Sequence, residues 1–103
     1  GWEADYPDPQ DFLDILFHSD SGINHGAYSN PDADKILEKA RVEPDIDRRV
    51  QLYRQAEELI VNDAAWVPLW YQGERYVLVK PQIKDYRVTP MIVPKLRQIF
   101  LEK

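Results

Sequence analysis

Residues 30–62 read NPDADKILEKARVEPDIDRRVQLYRQAEELIVN, and the spacing of apolar side chains along this stretch decides the architecture. Asn30 before Pro31 is an N-cap followed by proline at the first helical position, where the missing N–H costs nothing. Ala33, Ile36, Leu37 and Ala40 then form one stripe of a 3.6-residue period. That helix is expected to end near Arg41, ahead of Pro44. A longer one starts near Asp45 or Asp47 and stops close to Asn62, with Ile46, Val50, Tyr53, Ala56 and Ile60 on one face and Leu52 and Leu59 widening it. The short acidic linker makes the two helices an antiparallel hairpin, whose stripes bury against each other and against a sheet.

On the amino-terminal side, Asp8-Pro9 repeats the cap-then-proline signal, and Phe12, Leu13, Ile15, Leu16 and Phe17 give a short helix from about Pro9 to Phe17 a broad apolar face. Residues 18–30, HSDSGINHGAYSN, are turn formers and predict a loop long enough to carry function. On the carboxy-terminal side the texture becomes β-branched and aromatic. Two strands are expected, Trp66 to Tyr71 and Arg75 to Val79, across the turn-like Gln72-Gly73-Glu74. Pro68 makes the first an edge or interrupted strand. Pro81, Pro90 and Pro94 divide the remainder into short extended pieces, the last near Leu96 to Leu101. The fold class is therefore α+β: a helical hairpin plus a short helix, packed with a small mixed or antiparallel sheet.

A chain of 103 residues supports one modest core and buries about two thirds of its unfolded surface. Hydrophobic residues at 44% and charged residues at 30% fall in the globular range. The 13 basic residues are scattered, and the formal net charge is -5, which excludes a phosphate-binding face and hence nucleic acid as a partner. No run approaches the roughly 20 apolar residues of a membrane span, and no basic-then-apolar leader opens the chain. With no cysteine there is neither a disulfide frame nor a thiolate metal site.

The opening run Gly1-Trp2-Glu3-Ala4-Asp5-Tyr6-Pro7-Asp8-Pro9 adds a tryptophan and an early acid to this frame. Together with Asn24, Tyr28, the Ser29-Asn30-Pro31-Asp32-Ala33-Asp34 turn and Trp66-Val67-Pro68-Leu69-Trp70, it resembles the carboxy-terminal part of the family 5 extracellular solute-binding proteins, the oligopeptide and dipeptide receptors of ABC importers. Members of that family are longer and two-lobed, so the resemblance implies one piece of a periplasmic-binding-protein-like fold. It assigns residues 1 to about 75 to the ligand lobe and about 76 to 103 to a tail that returns to the other lobe. Without that lobe the tail packs on its own helices or pairs with a second copy, making a homo-oligomer of the chain a candidate assembly. The implied function is non-enzymatic binding of extended peptides between two lobes, with an ABC permease as partner and no cofactor. The implied location is periplasmic or extracellular, membrane-associated only through the importer. Nickel chelates or oligosaccharides are the alternative ligands within the family, and a free-standing interaction module is the alternative outside it.

Asp5 resembles the aspartate of a Trp-x-x-Asp motif that holds the ammonium group at a peptide's amino terminus; as a bare residue it is equally a turn former before Tyr6-Pro7. Trp2 either stacks on ligand or fills the core. Tyr6, Asn24, His25 and Tyr28 lie on loop-like segments where ligand contacts concentrate, and Asn24 has a second reading as a tie to its own loop backbone. The ligand-binding set is thus Trp2, Asp5, Tyr6, Asn24 and Tyr28. Asp14, His18 and His25 are a weak metal set without a His-Glu-x-x-His pattern, and solvated polar positions are their default. The acids Asp5, Asp8, Asp11 and Asp14 are expected to favour the positive end of the helix dipole rather than act as a hydrolytic pair. Ser19, Ser21 and Ser29 beside His18 or His25 lack a nucleophile-elbow sequence. Glu57, next to Tyr53, Ala56 and Ile60 in the pattern, is expected to be buried and hydrogen-bonded, while Arg54 and Glu58 make a solvated i,i+4 contact.

Overall fold

The structure, a computed structural model, describes residues 1–70, 73, 76–88 and 96–102. The chain divides into two units: Pro7–Pro68, and Gly1–Tyr6 with Leu69–Lys103. The first holds three helices, α1 (Gln10–Phe17), α2 (Pro31–Val42) and α3 (Ile46–Asn62). Each begins where a short acceptor side chain meets unpaired N–H groups. Asp8 Oδ1 accepts from the Gln10 N–H at 2.9 Å, and Pro9 already has helical φ and ψ. Asn30 Oδ1 accepts from the N–H groups of Asp32 and Ala33, and Asp45 Oδ1 from that of Arg48 at 2.8 Å. Caps of this kind stabilise a helix by about 1 kcal/mol each.

The core lies between α2 and α3, where Leu37 and Ala40 meet Tyr53 and Ala56, and Leu13 of α1 packs on the same cluster with Ile36 and Leu52. The alanines let the two helices approach closely enough for Leu37 and Tyr53 to be sealed from water. Within this unit the element laid on the hairpin is α1, a correction to the expected sheet. Ile46 is 76% exposed, because it occupies the first turn of α3, ahead of the point where Arg49 Nε reaches the Ala40 carbonyl and the helices begin to face one another. Glu57 is also exposed, contrary to expectation: the buried arc of α3 is Tyr53, Ala56 and Ile60, and position 57 falls just outside it. Arg54 and Glu58 are exposed as expected.

The end of α3 carries a feature that residue type does not announce. The Ala65 N–H donates to the Ile60 carbonyl and the Ala64 N–H to the Val61 carbonyl, a Schellman pattern in which Ala64 occupies the left-handed position at φ 51°. Glycine is the residue suited to that conformation. Ala64→Gly is expected to raise stability by about 0.5–1 kcal/mol, relief of the Cβ clash exceeding the added chain entropy, and an unchanged or lowered urea midpoint would refute it.

In the other unit, β1 (Ile83–Lys84) pairs antiparallel with β2 (Phe100–Leu101) in the register Ile83↔Leu101 and Lys84↔Phe100. A 3₁₀ turn at Leu96–Gln98 precedes β2, where the sequence predicted a continuous extended piece. The Glu102 N–H donates to the Gln82 carbonyl, and Lys84 Nζ lies 3.0 Å from Glu102 Oε2. The strands expected at 66–71 and 75–79 are corrected: the described residues 66–70 and 76–79 form no ladder. Pro68 has no N–H to give, and an extended run becomes a strand only when a neighbour takes its backbone groups. Tyr71, Gln72, Glu74, Arg75, Pro90 and Pro94 lie outside the described residues. Along 76–79 the exposure alternates, with Tyr76 and Leu78 open while Val77 and Val79 are half-covered, the period of an extended chain with one face against the protein. No described helix is long and apolar enough to cross a membrane.

Candidate ligand-binding residues and the loop beside them

Trp2, Asp5 and Tyr6 belong to the unit built from the chain's two ends, where Asp5 is exposed and the two aromatics are half-buried. Asn24 and Tyr28 belong to the helical unit, in the loop between α1 and α2. The five residues are therefore distributed over two units.

The loop is held at every few residues. Asp34 Oδ1 accepts from the Ser19 N–H, and the Ser21 hydroxyl donates to the Ile15 carbonyl. Asn24 sits at the centre: its Nδ2 donates to the carbonyls of His18 (3.3 Å) and Tyr28 (2.7 Å), while its Oδ1 accepts from the Tyr28 N–H at 3.1 Å. One amide thus substitutes for a strand partner across a turn in which Ala27 takes φ 50°. The Ser19 and Ser29 hydroxyls bond each other at 3.2 Å, so these side chains tie the two ends of the loop together.

The distal end of the loop is locked to the end of α3. Asp63 Oδ2 accepts from the Tyr28 hydroxyl and from Asn30 Nδ2, each at 2.7 Å. The Phe17 ring makes edge contacts with Tyr28 and Trp66, at centroid distances of 6.2 and 4.9 Å. A Cβ at Gly26 would stand 3.1 Å from Trp66 Nε1, so the loop backbone lies directly on the indole. The hydrogen bonds from Asn30 and Tyr28 hold the Asp63 carboxyl below the usual carboxylate range. Burial, then the hydrogen bond and charge of Asp63, push the Tyr28 phenol up from 10.0 to about 12. Since the folded pKa exceeds the unfolded one, the contact's contribution to stability is complete below pH 10 and disappears as the pH rises through about 12. The tyrosinate absorbance lost on Tyr28→Phe is expected to titrate near pH 12; loss of a component near pH 10 would contradict the geometry.

Two ion pairs organise the helices beneath this loop. Arg41 forks onto Asp14, with Nε to Oδ2 at 2.5 Å and Nη2 to Oδ1 at 2.6 Å. Arg49 forks onto Asp8 at 2.6 and 2.7 Å, its guanidinium 5.4 Å from the centroid of Tyr53. Hydrogen bonding to the carboxylates raises the pKa of both guanidinium groups, and burial raises that of Tyr53. Burial corrects the expectation that Asp14 and His18 are solvated: they are 3% and 5% exposed, and Asp11 is sealed completely. A signal was present in the sequence, since Asp11, Asp14 and His18 follow the 3–4 spacing of one helical face. His25 is exposed, and among the described residues no three His, Cys, Asp or Glu side chains are grouped to hold a metal ion.

The described residues thus form a stapled loop on a helical hairpin in one unit, and in the other Asp5 is exposed. Along most of its length the chain is similar to peptide-binding proteins, as a piece of a family 5 extracellular solute-binding protein is. It is 32% identical over 93 residues to the probable di/tripeptide-binding protein 5 of Pseudomonas aeruginosa (strain UCBPP-PA14), covering 87% of this chain and 18% of that protein. It is 32% identical over 102 residues to the probable D,D-dipeptide-binding periplasmic protein DdpA of Escherichia coli (strain K12), covering 96% of this chain and 19% of the relative. With the periplasmic oligopeptide-binding protein OppA of Salmonella typhimurium the identity is 38% over 86 residues, 84% of this chain and 16% of the relative. The chain thus spans under a fifth of the length of these curated relatives. No protein-family model matches it.

Proposed function

We propose that this chain supplies part of the peptide-binding receptor of an ABC importer, acting in the periplasm or outside the cell by holding an extended peptide without covalent chemistry. The observation that carries the reading is similarity over 84–96% of the chain to three proteins whose names denote binding of dipeptides, tripeptides or oligopeptides. In this reading residues 1 to about 75 belong to the ligand lobe, and the tail from about 76 returns to the other lobe of a two-lobed receptor. Ligand draws the lobes together, and the closed form is the one a permease engages. The peptide backbone is held as an added strand.

Asp5, exposed at the start of the chain, takes the peptide's terminal ammonium, with Trp2 and Tyr6 beside the same end. At about 4 Å and an effective dielectric of 20 that attraction is about 4 kcal/mol, much of it offset by desolvation. The contact therefore selects a free amino terminus more than it adds affinity. Asn24 and Tyr28 serve the ligand by holding the wall that their own hydrogen bonds build. In a complete receptor carrying this sequence, Asp5→Asn is expected to weaken a tripeptide with a free amino terminus about tenfold while leaving its acetylated form nearly unchanged, as read by calorimetry. Equal loss for both peptides would make Asp5 a turn residue only.

A further inference from the structure

An open groove of about 360 Å³ runs between α1 and α2, lined by Gln10, Asp14, His18, Asp20, Glu38 and Arg41 among others. None of Trp2, Asp5, Tyr6, Asn24 or Tyr28 contributes to its walls. Three carboxylates and one guanidinium leave it a formal charge of −2, and Arg41 is already committed to Asp14 by two hydrogen bonds. Glu38 and Asp20, both exposed, carry the charge that remains.

His18 gives this groove a second kind of group. Its side chain is 6% exposed, and its Nδ1 accepts the Asp20 N–H at 3.2 Å, which places the ring proton on Nε2. That Nε2–H is buried, has no hydrogen-bond acceptor among the described residues, and lies 3.6 Å from Glu38 Oε1. A buried donor on the wall of an anionic groove asks for an oxygen acceptor, and the carboxylates around it ask for a cation. A metal ion does not meet both demands, since a protonated Nε2 has no lone pair to give.

We propose that the groove is a separate binding site for a primary ammonium group with an oxygen on the second carbon from its nitrogen, as in an amino-acid amide, an amino alcohol or the first residue of a peptide. The ammonium is taken by Glu38 and Asp20, and the oxygen accepts from His18 Nε2–H. An acylated amine has no charge to offer the carboxylates, and a simple diamine has no acceptor for the histidine.

The test is a titration of the 103-residue chain with glycinamide, triglycinamide, putrescine and N-acetylglycinamide, following the His18 imidazole resonances by NMR. Saturable shifts are expected with the first two ligands and none with the acetylated compound. Putrescine is expected to bind more weakly than glycinamide. Glu38→Gln, at a side chain 59% exposed, leaves the fold intact and is expected to weaken glycinamide about tenfold or more. Equal affinity for glycinamide and triglycinamide identifies a small free amine as the natural class; tighter triglycinamide identifies a peptide end. Shifts that do not saturate, or that are the same for the acetylated amide or in Glu38→Gln, overturn the proposal. So does an Nε2–H already bonded to Glu38 in the free chain and unmoved by amine. Asp5 is absent from the groove, so this site stands or falls independently of the peptide reading.

Discussion

Leu37→Ala is expected to cost about 4–5 kcal/mol, the upper half of the range for buried leucine truncations. The position explains the choice within that range. Leu37 is fully sealed, and its neighbours in the core are Ala40 and Ala56, which have no side chain to move into the space, and Tyr53, which is itself sealed. A cavity that cannot collapse retains its full penalty. A domain the size of residues 7–68 has a total stability of about 3–9 kcal/mol, so the variant should be substantially unfolded or close to it at room temperature. Urea denaturation measures this directly: the midpoint falls while the slope stays fixed. Val42→Ala, at a site 80% exposed on the same helix, is expected to stay within about 0.5 kcal/mol of the parent. A loss below about 1 kcal/mol for Leu37→Ala would mean that the α2–α3 seam is not the core described here.

Arg41→Met is expected to cost about 3 kcal/mol, for a different reason. The substitution keeps the apolar stem and removes only the fork on Asp14, whose carboxylate is 3% exposed. An ionised group that has lost its partner in a dry site is costly, whereas a pair replaced as a whole by apolar residues is often neutral. Since the Arg41 side chain is itself 41% exposed, water can partly re-solvate the site, which keeps the figure at the lower end of the range for broken pairs. The double variant Asp14→Leu with Arg41→Met is therefore expected to be more stable than Arg41→Met alone. If it is less stable, the unpaired Asp14 carboxylate is not the source of the loss in Arg41→Met. Neither variant touches the caps of α2 or α3, so far-ultraviolet circular dichroism of the folded fraction should not change.

The helices were legible because their determinants are local. Asn30-Pro31 and Asp45 mark starts by chemistry that acts within three residues, and the stripe Ala33, Leu37, Ala40 reports the buried face without knowledge of what lies on it. Strands have no such self-sufficiency. The residues from Trp66 to Trp70 have suitable side chains, yet whether they form a ladder depends on a neighbour elsewhere, and in the described residues the ladder is made by Ile83–Lys84 with Phe100–Leu101. The ion pairs were hidden by distance in sequence: Asp14 finds Arg41 across 27 positions, and Asp8 finds Arg49 across 41. Acids clustered at a helix start also suit the helix dipole, and that sufficient local explanation masked the tertiary one. Asn24 was readable as a loop tie because asparagine is chemically equipped for it. The Tyr28–Asp63 bond was not, since neither residue type specifies a partner 35 positions away. Trp2, Asp5 and Tyr6 entered through family likeness, because the chemistry expected of them requires a ligand and no periodicity encodes one.

The division of the chain has a topological consequence. Residues 7–68 are an insertion within a unit assembled from both ends of the chain, so the backbone passes between the units at Tyr6-Pro7 and again at Pro68-Leu69. A single proteolytic cut at either crossing divides the chain into two covalent pieces, but the helical insert stays attached through the other crossing to one part of the second unit. Only cleavage at both sites frees the helical insert. The double connection therefore keeps the insert tethered after one nick, and a species of full mass under native conditions that splits on denaturation is what one cut produces where non-covalent contacts hold the severed piece in place.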